Sequence, residues 1–229
     1  MRTVGIIGGL SWQSTYTYYR LLNEGVGRRL GGHHSADLRI WSGDFDPIHE
    51  AQKRDDHEWI EATVCSAGEA LVAAGSDLLA IASNTTHRYA AAIERRTGVP
   101  IVHIVDVTAE EMRRRAVDRV LLLGTGFTMR GPHYRERMAG FEVETIVPDD
   151  AGMAEVHRII FDELVHGKVE APSRQKLLEL IEAAADDGAQ GVILGCTELG
   201  MILDEDSASI PGFDTTRIHC EAIIDRMLA

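Results

Sequence analysis

Residues 74–85 read AGSDLLAIASNT, and residues 187–198 follow the same pattern as DGAQGVILGCTE. Each stretch has a glycine suited to end a helix, a short apolar run typical of a buried strand, and then small polar residues. When the two stretches are aligned, Ser83 falls on Cys196. A shorter match relates residues 4–9, VGIIGG, to residues 120–125, VLLLGT. The two matches indicate an internal duplication, in which two similar α/β halves face each other.

Short runs rich in Val, Ile and Leu alternate along the chain with longer amphipathic segments, which is typical of parallel sheets covered by helices. Strands are predicted at residues 3–7, 38–41, 77–82, 101–102, 119–123, 142–146 and 191–194, and helices at residues 14–28, 55–74, 88–96, 107–116, 151–166, 174–187 and 215–228. We therefore expect two pseudo-symmetric α/β domains, each a parallel sheet flanked by helices. The first is expected to comprise residues 1–105 plus 210–229, and the second residues 106–209.

The composition is that of an ordinary globular protein, since 45% of the 229 residues are hydrophobic and 26% are charged. The formal net charge of −13 excludes a nucleic-acid binder that works through a basic surface, because phosphate neutralisation needs Lys and Arg. No stretch approaches the roughly 20 apolar residues of a membrane span, and the first ten residues lack the pattern of a signal peptide. A cytoplasmic protein with no nucleic-acid or membrane partner is expected.

Three cysteines, Cys65, Cys196 and Cys220, are too few and too widely spaced for a disulfide framework or a cysteine-based metal site. The ten histidines show no HExxH or similar ligand spacing, so no metal ion is expected. Cys65 and Cys220 lie on predicted helices and are most simply core thiols. No motif for a nucleotide or for pyridoxal phosphate occurs, so no cofactor is expected.

Ligands of open parallel sheets bind beyond the carboxyl ends of the strands. Four loops follow strand ends in the matched regions, at residues 8–14, 83–87, 125–128 and 196–199, and we expect them to form one site between the domains. The first loop, which contains Gly9 and Leu10, suits an anion cradle of backbone amides, although a tight turn without a ligand explains it equally well. The second loop reads SNTTH and offers donors suited to a carboxylate.

Cys196 is the residue with the sharpest chemical signal. It follows a predicted buried strand at the start of a predicted helix, where a thiol pKa falls and the thiolate becomes available as base or nucleophile. An isolated cysteine is more often inert core filler. The match to Ser83 across the repeat and the polar neighbours Thr197 and Glu198 favour the functional interpretation.

Five segments together resemble the aspartate/glutamate racemase superfamily, and most closely its aspartate racemase branch. They are residues 6–12 (IIGGLSW), 84–87 (NTTH), 123–129 (LGTGFTM), 195–198 (GCTE) and 213–219 (FDTTRIH). The resemblance implies an active site at the domain interface, a homodimer, and cofactor-independent inversion at the α-carbon of an acidic amino acid. In that family two cysteines usually flank the α-carbon. The second matches Cys196, but Ser83 occupies the position of the first.

The serine makes the implied mechanism one-sided, because a hydroxyl is too weak an acid to be a standing base at neutral pH. Cys196 is expected to exchange the α-proton, while Ser83 positions the intermediate or relays a proton through water, with His87 one turn further on. Asn84, Thr85 and Thr197 are expected to hold the α-carboxylate and ammonium. The full set of expected substrate-binding residues is Gly9, Leu10, Gln52, Asn84, Thr85, Thr125, Lys168, Thr197 and Glu198.

Several interpretations stay open at this point. Lys168, with Gln52, matches the family contact to the side-chain carboxylate, but a solvated loop lysine fits equally well. Glu198 either orients the amine or the thiol, or simply favours a helix N-terminus. The scaffold also resembles single-cysteine arylmalonate decarboxylases, and a binding protein that lost turnover at Ser83 is a third possibility. Exchange of the α-proton distinguishes a racemase from both.

Overall fold

The computed structural model describes residues 1–229, and the chain divides into two compact units. The first unit comprises Met1–Ile104 and His219–Ala229, and the second comprises Val105–Ile218. Each unit is built on a parallel β-sheet flanked by helices, which confirms the predicted α/β class. None of the helices combines the length and the apolar character that a membrane span requires.

The first sheet has three parallel strands in the order β2-β1-β3. These strands are β1 (Val4–Gly8), β2 (Leu38–Ser42) and β3 (Leu78–Ile81). Every residue of β1 and β3 is buried, as expected for strands covered by helices on both faces. The helices of this unit are α1 (Trp12–Leu30), α2 (Phe45–Lys53), α3 (His57–Ala73) and α4 (Ala90–Thr97).

The second sheet has four parallel strands in the order β5-β4-β6-β7. The strands are β4 (Arg119–Gly124), β5 (Glu144–Ile146), β6 (Gly191–Gly195) and β7 (Gly212–Asp214). The remaining helices are α5 (Ile104–Arg114), α6 (Gly126–Arg130), α7 (Pro132–Ala139), α8 (Asp150–Arg158), α9 (Ala171–Asp186) and α10 (Thr215–Leu228). Helix α10 begins in the second unit and ends in the first.

The strand register follows the internal sequence match. Val4 pairs with Leu78 between β1 and β3, and Val120 pairs with Gly191 between β4 and β6. Val4 matches Val120, and Leu78 matches Gly191, so both sheets align the repeated segments in the same way.

The turns that lead into β3 and β6 also have the same geometry. Gly75 and Gly188 adopt φ angles of 89° and 91°, a left-handed conformation that glycine reaches without steric cost. After α3, Ser76 N–H donates to the Leu71 carbonyl at 3.2 Å, and after α9 the equivalent bond measures 2.9 Å. Both helices therefore end in the same glycine-based cap, as the two sequence stretches predict.

Strand β7 is an element that the pattern analysis misses. Its three residues pair with β6, and Thr215 Oγ1 donates to the Leu194 carbonyl at 2.9 Å. These contacts keep residues 210–218 in the second unit. The chain therefore returns to the first unit at His219 and not at the expected position 210.

The helix predicted over residues 151–166 is interrupted. Helix α8 ends at Arg158, Ile159–Glu163 forms a π-helical turn, and Leu164–His166 forms a 3-10 turn. Arg158 forms ion pairs with Glu155 and Glu163, with N···O distances of 2.8 and 2.7 Å. Glu163 follows Arg158 by five residues, which matches the i to i+5 hydrogen bonding of a π-helical turn.

Two predicted strands are also shorter than expected. Residues 101–102 contribute a single bridge, between Ile101 and Leu79. Glu142 has a φ of 63°, which is not an extended conformation, and β5 begins only at Glu144.

Candidate active site

The loop after β1 is a tight turn held by its own side chains. Gly9 has a φ of 66°, and a Cβ there would lie 2.4 Å from the backbone nitrogen of Gly43. Its N–H donates to Thr15 Oγ1 at 2.8 Å. Ser11, with a φ of 154°, caps α1 by accepting the Ser14 N–H at 3.1 Å. A non-glycine residue rarely adopts this conformation, so the turn stores strain.

This geometry limits the anion cradle expected at Gly9 and Leu10. The Gly9 amide is already bonded to Thr15, so it is not available to an anion in this conformation. Leu10 is 7% exposed and packs in the hydrophobic core of the first unit. Both residues therefore shape the loop that precedes α1.

The loop after β3 presents Ser83 at the carboxyl end of the first sheet. Ser83 is half-buried, and its Oγ accepts a long hydrogen bond of 3.3 Å from the Thr86 N–H. Residues Thr85–Tyr89 form a 3-10 turn, and Asn84, Thr86 and His87 are almost fully buried. His87 Nδ1 lies 2.6 Å from the carbonyl oxygen of Ser83. The imidazole thus contacts the backbone carbonyl of Ser83 through this nitrogen, and not the Ser83 hydroxyl.

The loop after β4 carries Thr125. Its Oγ1 accepts the Thr128 N–H at 3.3 Å and lies 3.2 Å from Thr128 Oγ1, so the hydroxyl caps α6. The neighbouring Gly126 N–H donates to His157 Nδ1 at 3.0 Å. His157 lies on α8 and gives no sequence signal, because no motif connects it with the β4 loop.

The loop after β6 contains the pair Cys196 and Glu198. Cys196 Sγ donates to Glu198 Oε2 at 2.8 Å, and Thr197 Oγ1 donates to the same oxygen at 2.6 Å. Glu198 is only 4% exposed, whereas Cys196 keeps partial exposure. A buried carboxylate with two side-chain donors is therefore held directly beside the thiol.

The pKa of Cys196 is shifted in the direction opposite to the one that the sequence predicts. Burial and the negative charge of Glu198 raise the pKa of the thiol well above its usual value. The expected lowering depended on a helix N-terminus, but only the single 3-10 turn Thr197–Met201 follows β6. The expectation of a lowered pKa is wrong, and the resting group is a neutral thiol.

Lys168 and Gln52, the two residues expected to bind a side-chain carboxylate, have different surroundings. Lys168 is exposed, follows Gly167 at a φ of 72°, and forms no ion pair within the chain. Its backbone N–H donates to the Glu163 carbonyl at 3.0 Å, which ties it to the π-helical turn. Gln52 lies on α2.

The other two cysteines are core thiols, as expected. Cys65 and Cys220 are each 1% exposed, and all three cysteines are free. Burial raises the pKa of Cys65. Cys196 is thus the one thiol with partial exposure at the end of a sheet strand.

Comparison with known proteins gives a match along almost the whole chain. The model of the Asp/Glu/Hydantoin racemase family covers residues 7–223. The broad specificity amino-acid racemase RacX of Bacillus subtilis (strain 168) is 24% identical over 233 residues, which cover 99% of this chain and 98% of RacX.

Two solved structures are similar over their full lengths, each with 100% of both chains covered. A candidate Asp/Glu racemase from Yersinia pestis has 38% sequence identity and a TM-score of 0.94. An aspartate racemase homologue from Pyrococcus horikoshii OT3 has 34% identity and a TM-score of 0.88. The chain belongs to the Asp/Glu/hydantoin racemase family.

Proposed function

We propose that the protein is a cofactor-independent racemase of aspartate or glutamate, with Cys196 as the thiol acid–base group and Ser83 in the opposing position. The observation that carries this proposal is the hydrogen bond from Cys196 Sγ to Glu198 Oε2 at the end of β6. A cysteine that only fills a core has no need of a buried carboxylate partner. Membership of the family supports the reaction class, and the thiol–carboxylate pair supplies a group able to move a proton.

The pair accounts for proton transfer in both directions. As a base, Cys196 releases its proton to Glu198 and takes the substrate α-proton on the sulfur. As an acid, the neutral thiol returns a proton to the carbanion on the same face. The raised pKa of Cys196 favours the donor form at rest, so abstraction is the harder direction.

Inversion requires a proton at the opposite face of the α-carbon. A hydroxyl has too high a pKa to remove the α-proton itself, but it passes a proton to a carbanion or holds a water that does so. Solvent water then replaces the proton given up by Ser83, and the proton taken by Glu198 returns to solvent, which restores the resting site. Ser83 is half-buried, and its oxygen accepts only the long bond from Thr86, so the hydroxyl hydrogen remains able to donate. We assign Ser83 to this role.

Substrate recognition is proposed to divide between two groups of residues. Asn84, Thr85 and Thr197 bind the α-carboxylate and ammonium through short polar contacts. Lys168 binds the side-chain carboxylate, because its exposed ammonium forms no ion pair within the chain, and Gln52 assists. The relative RacX is described as having broad specificity. The substrate test therefore includes a neutral and a basic amino acid besides aspartate and glutamate.

Proton NMR in heavy water tests the proposal directly. The protein is incubated with L-Asp, D-Asp, L-Glu, D-Glu, L-Ala and L-Lys, and loss of the α-proton signal is followed together with chiral analysis. We expect exchange with at least one acidic enantiomer and its abolition in Cys196→Ala. Cys65→Ala is the matched control, because Cys65 is buried in α3 away from any strand end. That variant is expected to retain the exchange.

Three results separate the alternatives. Exchange with inversion supports the racemase, and Ser83→Cys is expected to increase inversion relative to exchange. Binding of an acidic amino acid without exchange overturns the racemase and leaves a binding protein. Release of carbon dioxide from an arylmalonate, lost in Cys196→Ala, identifies a decarboxylase.

A homodimer is part of the same proposal, and the face of α1 formed by Trp12, Tyr16 and Tyr19 supports it. These residues recur at helical spacing and are 68%, 59% and 51% exposed. The neighbouring pair Arg20–Glu24 supplies both signs of charge, which suits a self-complementary contact with a second copy. Light scattering is expected to give a dimer mass for the protein and a monomer mass for the triple variant Trp12→Ser, Tyr16→Ser, Tyr19→Ser. An unchanged dimer in that variant excludes this face.

A further inference from the structure

His87 makes a short hydrogen bond to the backbone of Ser83. The residue is 2% exposed, and its Nδ1 lies 2.6 Å from the Ser83 carbonyl oxygen. A carbonyl oxygen only accepts, so Nδ1 carries the hydrogen. The ring is therefore fixed as the Nδ1–H tautomer when it is neutral, with Nε2 on its far side.

A second buried imidazole supports the first. The ring of His219 lies 5.3 Å from that of His87 in an edge-to-face arrangement. His219 Nε2 donates to the Val102 carbonyl at 2.7 Å, so its Nδ1 accepts from Tyr18 OH, also at 2.7 Å. His103 packs on the other side of His87, with ring centroids 4.9 Å apart. The orientation of His87 is thus set by fully or partly buried rings and not by solvent.

The Ser83 carbonyl is the point where this arrangement reaches the candidate site. Peptide bonds are planar, so fixing the carbonyl of Ser83 fixes the direction of the Asn84 N–H, which points the opposite way. The residue before Ser83 is held by the Ala82 N–H bond to the Ile7 carbonyl at 2.9 Å, so restraint of the Ser83 carbonyl on the other side limits rotation at Ser83 and the directions open to the Cα–Cβ bond that carries its hydroxyl. The other bond to that hydroxyl, from the Thr86 N–H, is long at 3.3 Å.

We propose that His87 is a positioning residue that places the Ser83 hydroxyl for proton delivery through the Nδ1–H bond to the Ser83 carbonyl. The inference rests on the proposed racemase function. His87 does not activate the hydroxyl as a base, because the nitrogen nearest to Ser83 is bonded to the carbonyl. Its contribution is geometric, and the same geometry is obtained from any donor at the position of Nδ1.

Two amide substitutions at His87 test whether the position of the hydrogen-bond donor, and not the volume of the side chain, determines the effect. In His87→Asn the side-chain amide nitrogen reaches the position of Nδ1, whereas in His87→Gln it reaches the position of Nε2. We expect His87→Asn to retain inversion within about threefold of the parent protein. His87→Gln and His87→Leu are expected to lower kcat for inversion by roughly tenfold, with a smaller change in KM, because the lost bond acts at the reacting carbon.

A double-mutant cycle with Ser83→Ala shows whether the effect passes through the hydroxyl. If His87 acts through Ser83, His87→Leu causes little further loss when the hydroxyl is already absent. Full additivity of the two losses overturns the proposal. Equal activities of His87→Asn and His87→Leu, with both variants folded by circular dichroism, overturn it as well.

The tautomer is measured independently of catalysis. Long-range ¹H–¹⁵N NMR of the unmodified protein is expected to show hydrogen on Nδ1 of His87 and on Nε2 of His219. An Nε2–H tautomer at His87 overturns the positioning role whether or not the protein is active. Absence of α-proton exchange with every amino acid, together with the expected tautomer, instead removes the proposed function and the kinetic role with it.

Discussion

Replacing Glu198 by Gln tests the chemistry of Cys196 most directly. The carboxylate accepts the Cys196 thiol at 2.8 Å and, together with burial, raises the pKa of that thiol. The amide keeps the shape of the side chain and removes its charge. A hydrogen bond to a charged group contributes about 1.5–3 kcal/mol, and one pKa unit corresponds to about 1.4 kcal/mol. We therefore expect the pKa of Cys196 to fall in Glu198→Gln, and its alkylation rate at a fixed pH below the midpoint to rise by about 10- to 100-fold, while burial still keeps the pKa above the usual value.

The assay is the pH dependence of alkylation by iodoacetamide, since only the thiolate reacts. Cys65 and Cys220 are each 1% exposed, and the slow background from them is measured in Cys196→Ala. Glu182→Gln is the matched control, because Glu182 hydrogen-bonds Ser209 on the surface. It is expected to leave the profile unchanged. A midpoint in Glu198→Gln that stays in place or moves to higher pH refutes the reasoning, because the carboxylate would then not stabilise the neutral thiol.

Three further predictions concern stability. Tyr134 and Tyr18 are both fully buried, but only the Tyr18 hydroxyl has a hydrogen-bond partner, His219. Thermal unfolding is therefore expected to show that Tyr134→Phe is neutral or stabilising by up to about 1 kcal/mol. Tyr18→Phe is expected to destabilise the protein by about 1–3 kcal/mol. The reverse order would contradict the assigned bonds. Gly9→Ala combines a left-handed φ with a Cβ 2.4 Å from Gly43 N, whereas Gly98→Ala has a similar φ of 68° and open space. The melting temperature is expected to fall further in Gly9→Ala than in Gly98→Ala, by the equivalent of about 1–3 kcal/mol. Equal decreases in the two variants would show that the loop at Gly9 moves to make room for the added Cβ. Burial holds the pKa of His219 well below its usual value, so below about pH 6.5 the unfolded chain takes up a proton that the folded protein does not. The free energy of unfolding is therefore expected to decline as pH falls below that point, by up to about 1.4 kcal/mol per pH unit. His219→Gln is expected to reduce this pH dependence, whereas the exposed control His34→Gln leaves it unchanged.

The parts of the fold that depend on local sequence patterns are predictable from sequence. Gly75 and Gly188 each follow an amphipathic run and precede an apolar one, so a glycine-based helix end followed by a buried strand is expected. Both adopt that conformation. The strand register also repeats between the two halves, because Val4 and Val120 take the same place opposite β3 and β6.

Elements that depend on long-range contacts are not predictable in this way. Strand β7 has three residues and no periodicity, and it exists because β6 offers a free edge. The π-helical turn keeps the apolar pattern of a regular helix, and in the folded chain it is accompanied by ion pairs of Arg158 with Glu155 and Glu163.

The pKa of the thiol in the candidate site is likewise not predictable from local sequence. A cysteine after a strand and before a helix predicts a lowered thiol pKa. Whether Glu198 faces solvent or turns back onto Cys196 is a matter of side-chain rotamer, which the sequence does not encode locally. In the structure Glu198 turns back, and burial of the thiol together with this charge raises the pKa of Cys196.

The residues after the two matched strands explain why the repeat does not produce two equal catalytic groups. In the alignment, Thr85 falls on Glu198, so the first half has a hydroxyl where the second has a carboxylate. Ser83 and Cys196 are both half-buried. A thiol introduced by Ser83→Cys would therefore lack the charge that disfavours the thiolate at Cys196, and we expect it to have the lower pKa of the two. Peptide mapping after brief alkylation at neutral pH is expected to find label at position 83 first. Preferential labelling of Cys196 in that variant would refute the inference that Glu198 and burial together make Cys196 the less readily ionised of the two thiols.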